Sequence, residues 1–147
     1  MHFLYRALIF ISLTVFTVCY SCSAQNKSKK GVEQAMKKYD LLILSMNTDS
    51  IARLYTPDGE LGNMARGRDS IRNFLNGFKN FKVLSQVSET KIISIEQDTA
   101  ILTGTYKQTV IVPVNDTVMA KGLFTVKWIW LKQDGWHIQR MDTQPVK

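Results

Sequence analysis

The sequence predicts an α+β fold, a cone-shaped curved antiparallel sheet wrapped around three N-terminal helices. Three observations predict it. Apolar residues recur at helical spacing in three segments before residue 80. After residue 80 they alternate with period two over long runs. The two patterns are segregated along the chain rather than interleaved, which favours helices packed on one face of a sheet over a parallel α/β arrangement.

The chain has 147 residues, with 45% hydrophobic and 21% charged residues, enough for one globular domain. Its first 24 residues are of a different character. Arg6 supplies a positive charge, and Ala7–Val18 then runs without any charge. That run suits the apolar segment of a signal peptide better than a lasting membrane anchor. Small residues Ser21, Ser23 and Ala24 follow. Two processing routes are open: cleavage after Ala24 to release a periplasmic or secreted protein, or lipidation of Cys22 to leave a membrane-anchored lipoprotein. Residues 1–24 are therefore read as a signal peptide, 25–31 as a flexible linker and 32–147 as the domain. Both cysteines, Cys19 and Cys22, fall in the leader, so the mature domain has no disulfide, no thiol nucleophile and no cysteine metal ligand.

Net charge is +7, and about +6 once Arg6 leaves. Part of the excess is local, at Lys27, Lys29, Lys30, Lys37 and Lys38. No aromatic residues interleave with these lysines as they do on a base-stacking platform, so they read as a solvated approach to the first helix and not as a nucleic-acid surface.

The first helix shows its stripe at Val32, Ala35, Met36, Tyr39, Leu42, Ile43 and Met46. Leu41 and Leu44 widen that stripe and predict burial on more than one side. Asn47–Asp49 stops it, and Thr48 or Asp49 caps a second helix whose inner face is Ile51, Leu54 and Tyr55. Pro57, Asp58 and Gly59 predict a turn, with proline presetting one dihedral and glycine accepting a positive one. Glu60–Ala65 is short and extended. Gly67 opens a third helix with Ile71, Phe74, Leu75 and Phe78 at helical spacing, and Gly77 weakens its end.

Four strands follow. Lys82–Ile95 is the first and Thr99–Val112 the second, ending at Pro113 and an Asn115–Asp116 turn. Thr117–Leu131 is the longest, with Val118, Ala120, Gly122, Phe124, Val126, Trp128 and Trp130 on one face. The small residues Ala120 and Gly122 mark a bend or a close approach. Gln133–Gly135 forms a tight turn into Trp136–Thr143.

The helix and turn over Asp49–Asp58, the helix start Gly67–Arg72 and the terminal Gly135–Ile138 together resemble the SnoaL-like and ketosteroid-isomerase-like domains, which share the cone of the nuclear-transport-factor-2-like (cystatin-like) roll. The resemblance spans Val32–Asp142. It implies the same fold and a pocket between the sheet and the helices, and it carries no catalytic signature. In the isomerases of that superfamily a carboxylate moves a proton beside a carbonyl, while a tyrosine and a protonated aspartic acid stabilise the oxyanion. Carried onto this chain, the base position falls near Asn63, whose amide takes no proton at neutral pH, and the tyrosine position near Leu41. Tyr39 lies two residues upstream, off that face. Catalytic residues are accordingly unassigned.

Candidate pocket residues are Tyr55, Tyr106, Trp128, Arg140 and Asp142. Trp136, Ile138, Arg140 and Asp142 share one face by parity, where Arg140 and Asp142 either grip a polar ligand group or pair with each other. Tyr106 either points its hydroxyl into the cavity or satisfies a backbone carbonyl. Tyr55 and Trp128 line either the core or the pocket. His137 falls on the opposite face, and one histidine without clustered carboxylates or thiols makes no metal site. No cofactor is implied. Met119, Leu123, Ile129 and Leu131 share the outer sheet face, and an apolar sheet surface asks for a partner, here a second copy of the chain. The expected function is non-catalytic binding of a small hydrophobic ligand, or an envelope interaction module. The alternative is an acid–base isomerase, dehydratase or cyclase.

Overall fold

The computed structural model describes residues 26–146. The signal-peptide assignment and Cys22 lie outside the described residues. Helix α1 spans Lys29–Ser45, three residues earlier than its apolar stripe begins. Ser28 is the reason: its side chain accepts from the Gly31 amide at 3.2 Å and satisfies a donor of the first turn. Lys29, Lys30 and Gly31 are thus helix and not linker. Helix α1 buries Val32, Ala35, Met36 and Ile43, but Leu41 is 66% exposed and Leu44 42% exposed. The expectation of burial on two sides is corrected: only the i, i+3, i+4, i+7 face meets the sheet.

Met46 ends α1 in the left-handed region, and the side chain of Asn47 accepts from Ser50 N at 3.0 Å to start α2, Thr48–Leu54. The cap is Asn47 where Thr48 or Asp49 was expected. Strand β1 follows at once as Tyr55–Leu61, so Pro57–Gly59 sits inside a strand instead of a free turn. The turn chemistry still acts there. The ladder between β1 and the last strand shifts register between Tyr55 and Glu60, because proline donates no hydrogen bond to a neighbour. Strand β2 is the pair Ala65–Arg66, and α3 spans Arg68–Asn76. Phe78 falls beyond α3, where it stacks edge-to-face between Phe74 and Phe81 at centroid distances of 5.4 and 5.3 Å.

The remaining strands are β3 (Lys82–Glu96), β4 (Thr99–Ile111), β5 (Thr117–Leu131) and β6 (Gly135–Pro145). The sheet order is β2-β1-β6-β5-β4-β3, a meander from β3 to β6 to which β1 adds in parallel beside β6. A 15-residue strand would extend about 50 Å if straight, far beyond the width of such a domain. The sheet coils instead. Register shifts fall between Val83 and Ser85, between Thr90 and Ile92, and opposite Lys127 and Trp128, and each bulge bends the sheet and increases its twist.

Two glycines permit the coil. Gly104 pairs with Phe124 across β4 and β5, and Gly122 pairs with Tyr106. A Cβ at Gly104 would collide with the Glu89 carbonyl and stand 2.8 Å from Phe124 Cζ; one at Gly122 would collide with the Gln144 carbonyl and stand 2.8 Å from Tyr106 Cε1. Each aromatic ring lies over the glycine opposite and covers the bare backbone.

The concave face carries Leu102, Phe124, Val126, Trp128 and Ile138, all buried, against Val32, Ile51 and Ile71 from the helices. Trp136 joins this core, and its indole N–H donates to the Asn26 carbonyl at 3.2 Å.

Because backbone and not a flexible side chain stands in the way, Gly104→Ala and Gly122→Ala should each destabilise the fold by about 1–3 kcal/mol. Urea denaturation followed by circular dichroism measures this as a lowered midpoint at unchanged slope.

Candidate functional site

The coil leaves a chamber of about 220 Å³ between α1, α3 and the concave face of the sheet. Its apolar wall is built from Met36, Ile43, Leu61, Phe74, Leu75, Phe124 and Met141. A neighbouring cavity of about 200 Å³ shares Ile43, Leu75 and Gln108 with it and extends toward Phe78 and Phe81. The polar groups of the chamber are Tyr39, Tyr106, Gln86, Gln108, Ser88 and Thr143. None of its described lining residues is a carboxylate, a histidine or a cation. Hydroxyls and amides of this kind orient a ligand by hydrogen bonding and accept no proton at neutral pH.

Tyr39 is the polar residue that the resemblance placed off the pocket face. It lies in the chamber, while Leu41, the expected tyrosine position, points to solvent. The signal was present in the sequence: Tyr39 continues the stripe of Val32, Ala35 and Met36, and Ile43 lies i+4 from it. Counting along a family pattern shifted the position by two; helical periodicity by itself identifies it. Burial raises the pKa of the Tyr39 hydroxyl, the negative charge of Asp40 raises it further, and a hydrogen bond from Tyr55 partly opposes both. Tyr55 is also raised well above the ordinary tyrosine value, first by burial and then by the neighbouring Tyr39. The Tyr55 oxygen lies 3.7 Å from Met141 Sδ.

Asp40 is the carboxylate tied to the chamber wall, and its oxygens are already committed. Gln86 Nε2 donates to it at 3.1 Å, Ser88 N at 3.0 Å and Ser88 Oγ at 2.7 Å. These bonds pin α1 to β3 and fix Gln86 and Ser88 against the chamber.

Of the residues expected at the pocket, Tyr106 lines the chamber. Tyr55 and Trp128 are each 0% exposed and sit in the core. The Trp128 indole N–H has no acceptor among the described residues. Arg140 and Asp142 require a correction. The register moves from Trp128 opposite Ile138 to Lys127 opposite Arg140, so Gln139 is an extra residue that flips the parity of β6. Met141 and Thr143 face the chamber, and Arg140 and Asp142 turn to the convex side. There the Arg140 guanidinium donates to both Asp142 oxygens at 2.7 and 2.8 Å, to Glu60 on β1 and to Asn63 at 3.3 Å. This clasp joins β6 to β1, and it occupies Asn63, the residue at the expected base position. His137 is half-buried, its Nδ1 is 3.2 Å from the Gly135 carbonyl, and it borders a separate cleft near α1, α2 and the β5–β6 turn. Among the described residues, no group of three His, Cys, Asp or Glu is placed to hold a metal ion.

A helix-sealed, coiled sheet with a chamber in its concave face defines the nuclear-transport-factor-2-like class of α+β cones. Within that class the SnoaL-like domain model matches residues 27–142 of the chain, which belongs to this family. Solved structures agree on the fold. A ketosteroid isomerase-like protein from Erwinia carotovora atroseptica superposes with a TM-score of 0.69 at 18% identity, over 79% of this chain and 94% of that one. An NTF2-like protein with a cystatin-like fold from Novosphingobium aromaticivorans gives 0.66 at 16% identity, over 79% and 80%. A protein of unknown function from Mycobacterium tuberculosis gives 0.69 at 16% identity, over 79% and 74%. No curated protein matches the sequence.

Raised tyrosine pKa values have a stability consequence whose sign is fixed. The unfolded chain loses these protons near the ordinary value of about 10, whereas the folded chain holds them to higher pH. Their contribution is therefore intact below pH about 10 and is lost as pH rises above it. Tyr39→Phe removes one such group and should flatten the decline, measured as the slope of unfolding free energy against pH above about 10.

Proposed function

We propose that this SnoaL-like domain is an exported, non-catalytic binder of a small, largely apolar ligand held in the chamber. One observation carries the reading: the described chamber walls are apolar, and their polar groups are neutral hydroxyls and amides. Acid–base chemistry beside a carbonyl needs a group that takes up and returns a proton. The neighbouring carboxylate, Asp40, already accepts three hydrogen bonds from β3. Freeing it would cost those bonds, each worth about 1.5–3 kcal/mol when an ion is involved. Gln108, Tyr106 and Tyr39 instead supply directional contacts for one polar end of an otherwise hydrophobic molecule.

Native mass spectrometry of the protein purified from its own host tests this reading. A retained small molecule of low polarity is expected, and the same spectrum reports processing after Ala24 or a lipid on Cys22. Ala120→Phe places a ring in the chamber, so the retained mass and the binding of an apolar fluorescent probe should both fall at least tenfold. Probe binding unchanged in Ala120→Phe would exclude the chamber as the site. Turnover of an enone or hydroxylated carbonyl substrate that depends on Asp40 would replace the binding reading with the acid–base one.

The convex face supports a second, separable element of the proposal, a homodimer. Met119 is 82% exposed and Leu123 48% exposed on that face, while Ile129 and Leu131 are half-buried beside them. Val87, Ile92 and Ile101 extend the apolar surface across β3 and β4. Met119→Glu with Leu123→Glu should shift the mass in sedimentation equilibrium from dimer to monomer and leave the fold intact, since neither side chain is in the core. A monomeric parent protein at micromolar concentration would overturn the assignment.

A further inference from the structure

A cleft of about 400 Å³ lies apart from the chamber, where α1, α2, the start of α3 and the β5–β6 turn meet. Its rim brings together Lys38, Arg53 and Arg68 with one acid, Asp134. The arginines of the described residues divide sharply. Arg66, Arg72 and Arg140 each face a carboxylate within 4 Å. Arg53 and Arg68 have no carboxylate partner among the described residues, and both border this cleft. Lys38 is likewise unpaired there.

The geometry of Arg68 is that of a held fork. Its Nε donates to the Tyr55 carbonyl at 2.8 Å at the end of α2, and that bond fixes the guanidinium plane. Both of its Nη groups remain free of protein acceptors among the described residues. A planar cation with two free donors suits a tetrahedral or planar oxyanion in a paired contact. Three cations against one carboxylate leave a formal excess of two positive charges. Concave low-dielectric walls strengthen their field. Beneath the charges lie Leu54, 8% exposed, and Trp136, 1% exposed, whose edges give the cleft an apolar floor. The volume falls in the range of small-molecule sites and exceeds what a lone ion fills.

We propose that this cleft binds a small, water-soluble organic phosphate monoester, whose dianionic head meets Arg68, Arg53 and Lys38 and whose organic body rests on Leu54 and Trp136. A phosphate monoester carries about −1.5 to −2 at neutral pH and so matches the excess charge of the rim. The site is independent of the chamber, with which it shares no lining residue.

Isothermal titration of the full chain with phenyl phosphate at low salt tests the proposal. Saturable one-to-one binding is expected. Arg53→Gln, on an exposed side chain, should weaken it about tenfold, the loss expected for one charge-assisted hydrogen bond. Inorganic phosphate should bind at least tenfold more weakly than phenyl phosphate, because it leaves the apolar floor uncovered. Replacing Arg68 removes the Nε donor to Tyr55, so the deciding variant is Lys38→Gln/Arg53→Gln, which leaves that contact in place and should itself abolish measurable binding. Absence of saturable binding, or binding retained in Lys38→Gln/Arg53→Gln, would overturn the site. Equal affinity for inorganic phosphate would overturn the organic body. Loss of phenyl phosphate binding in Ala120→Phe would move the ligand to the chamber and overturn the cleft. Retention on phosphatidic acid vesicles that exceeds phenyl phosphate binding and is lost in Arg53→Gln would overturn the soluble ligand in favour of a lipid headgroup.

Discussion

The whole architecture follows from how the long strands are forced to coil. Strands β3 and β5 hold 15 residues each, too many to lie flat under three short helices. Bulges near Leu84, Lys91 and Gln139 take up the bending. Gly104 and Gly122 let neighbouring backbone approach where side chains would collide. Without that coiling the concave face would be a plane, α1 and α3 would close onto it completely, and no chamber would remain. The chamber is thus a by-product of sheet length and bulge position, and its chemistry is set by whichever side chains the bulges turn inward.

The bulge at Gln139 shows how much hangs on one extra residue. It divides β6 into a half that feeds Trp136 and Ile138 to the core and a half that feeds Met141 and Thr143 to the chamber. The same step sends Arg140 and Asp142 outward, where they become a clasp to Glu60. Asp142 and then Glu60 raise the Arg140 pKa, so the guanidinium keeps its charge within the clasp. Since these groups are partly exposed, solvent screens the pair, and its value is in fixing the β1–β6 junction more than in stability. Charge is therefore distributed by role: paired at the convex junction, absent from the described chamber walls, and unpaired around the basic cleft.

A neutral chamber beside a charged cleft also explains why family membership alone says little about chemistry. The cone supplies concavity, but protonation chemistry needs a carboxylate or imidazole aimed into it. In this chain the acidic side chain next to Tyr39 is spent on holding α1 to β3. Its three donors come from Gln86 and Ser88, two residues that also line the chamber. The bonds that make the wall rigid are the ones that hold the Asp40 carboxylate against β3.

The bounds of β3 to β6, the three helices and the inward face of β5 were legible in the sequence, because periodicity of two and of 3.6 is written directly in the order of apolar residues, whereas β1 was hidden behind the turn residues Pro57–Gly59. Tyr39 was legible on the same ground, as a member of the α1 stripe, and Tyr106 by its place on the face of Leu102 and Gly104. The depth of Tyr55 and Trp128 could be narrowed to core or pocket and no further, since both environments take aromatics. What the order of residues left open, the tertiary structure decided. A bulge has no signature in a run such as Gln139–Asp142, so parity counted along β6 put Arg140 and Asp142 on the wrong face. The parallel docking of β1 beside β6, the capture of Asp40 by β3 and the meeting of Lys38, Arg53 and Arg68 all join residues distant in the chain. Alternation along one segment reports which side chains share a face; only the packed sheet and helices determine what that face meets.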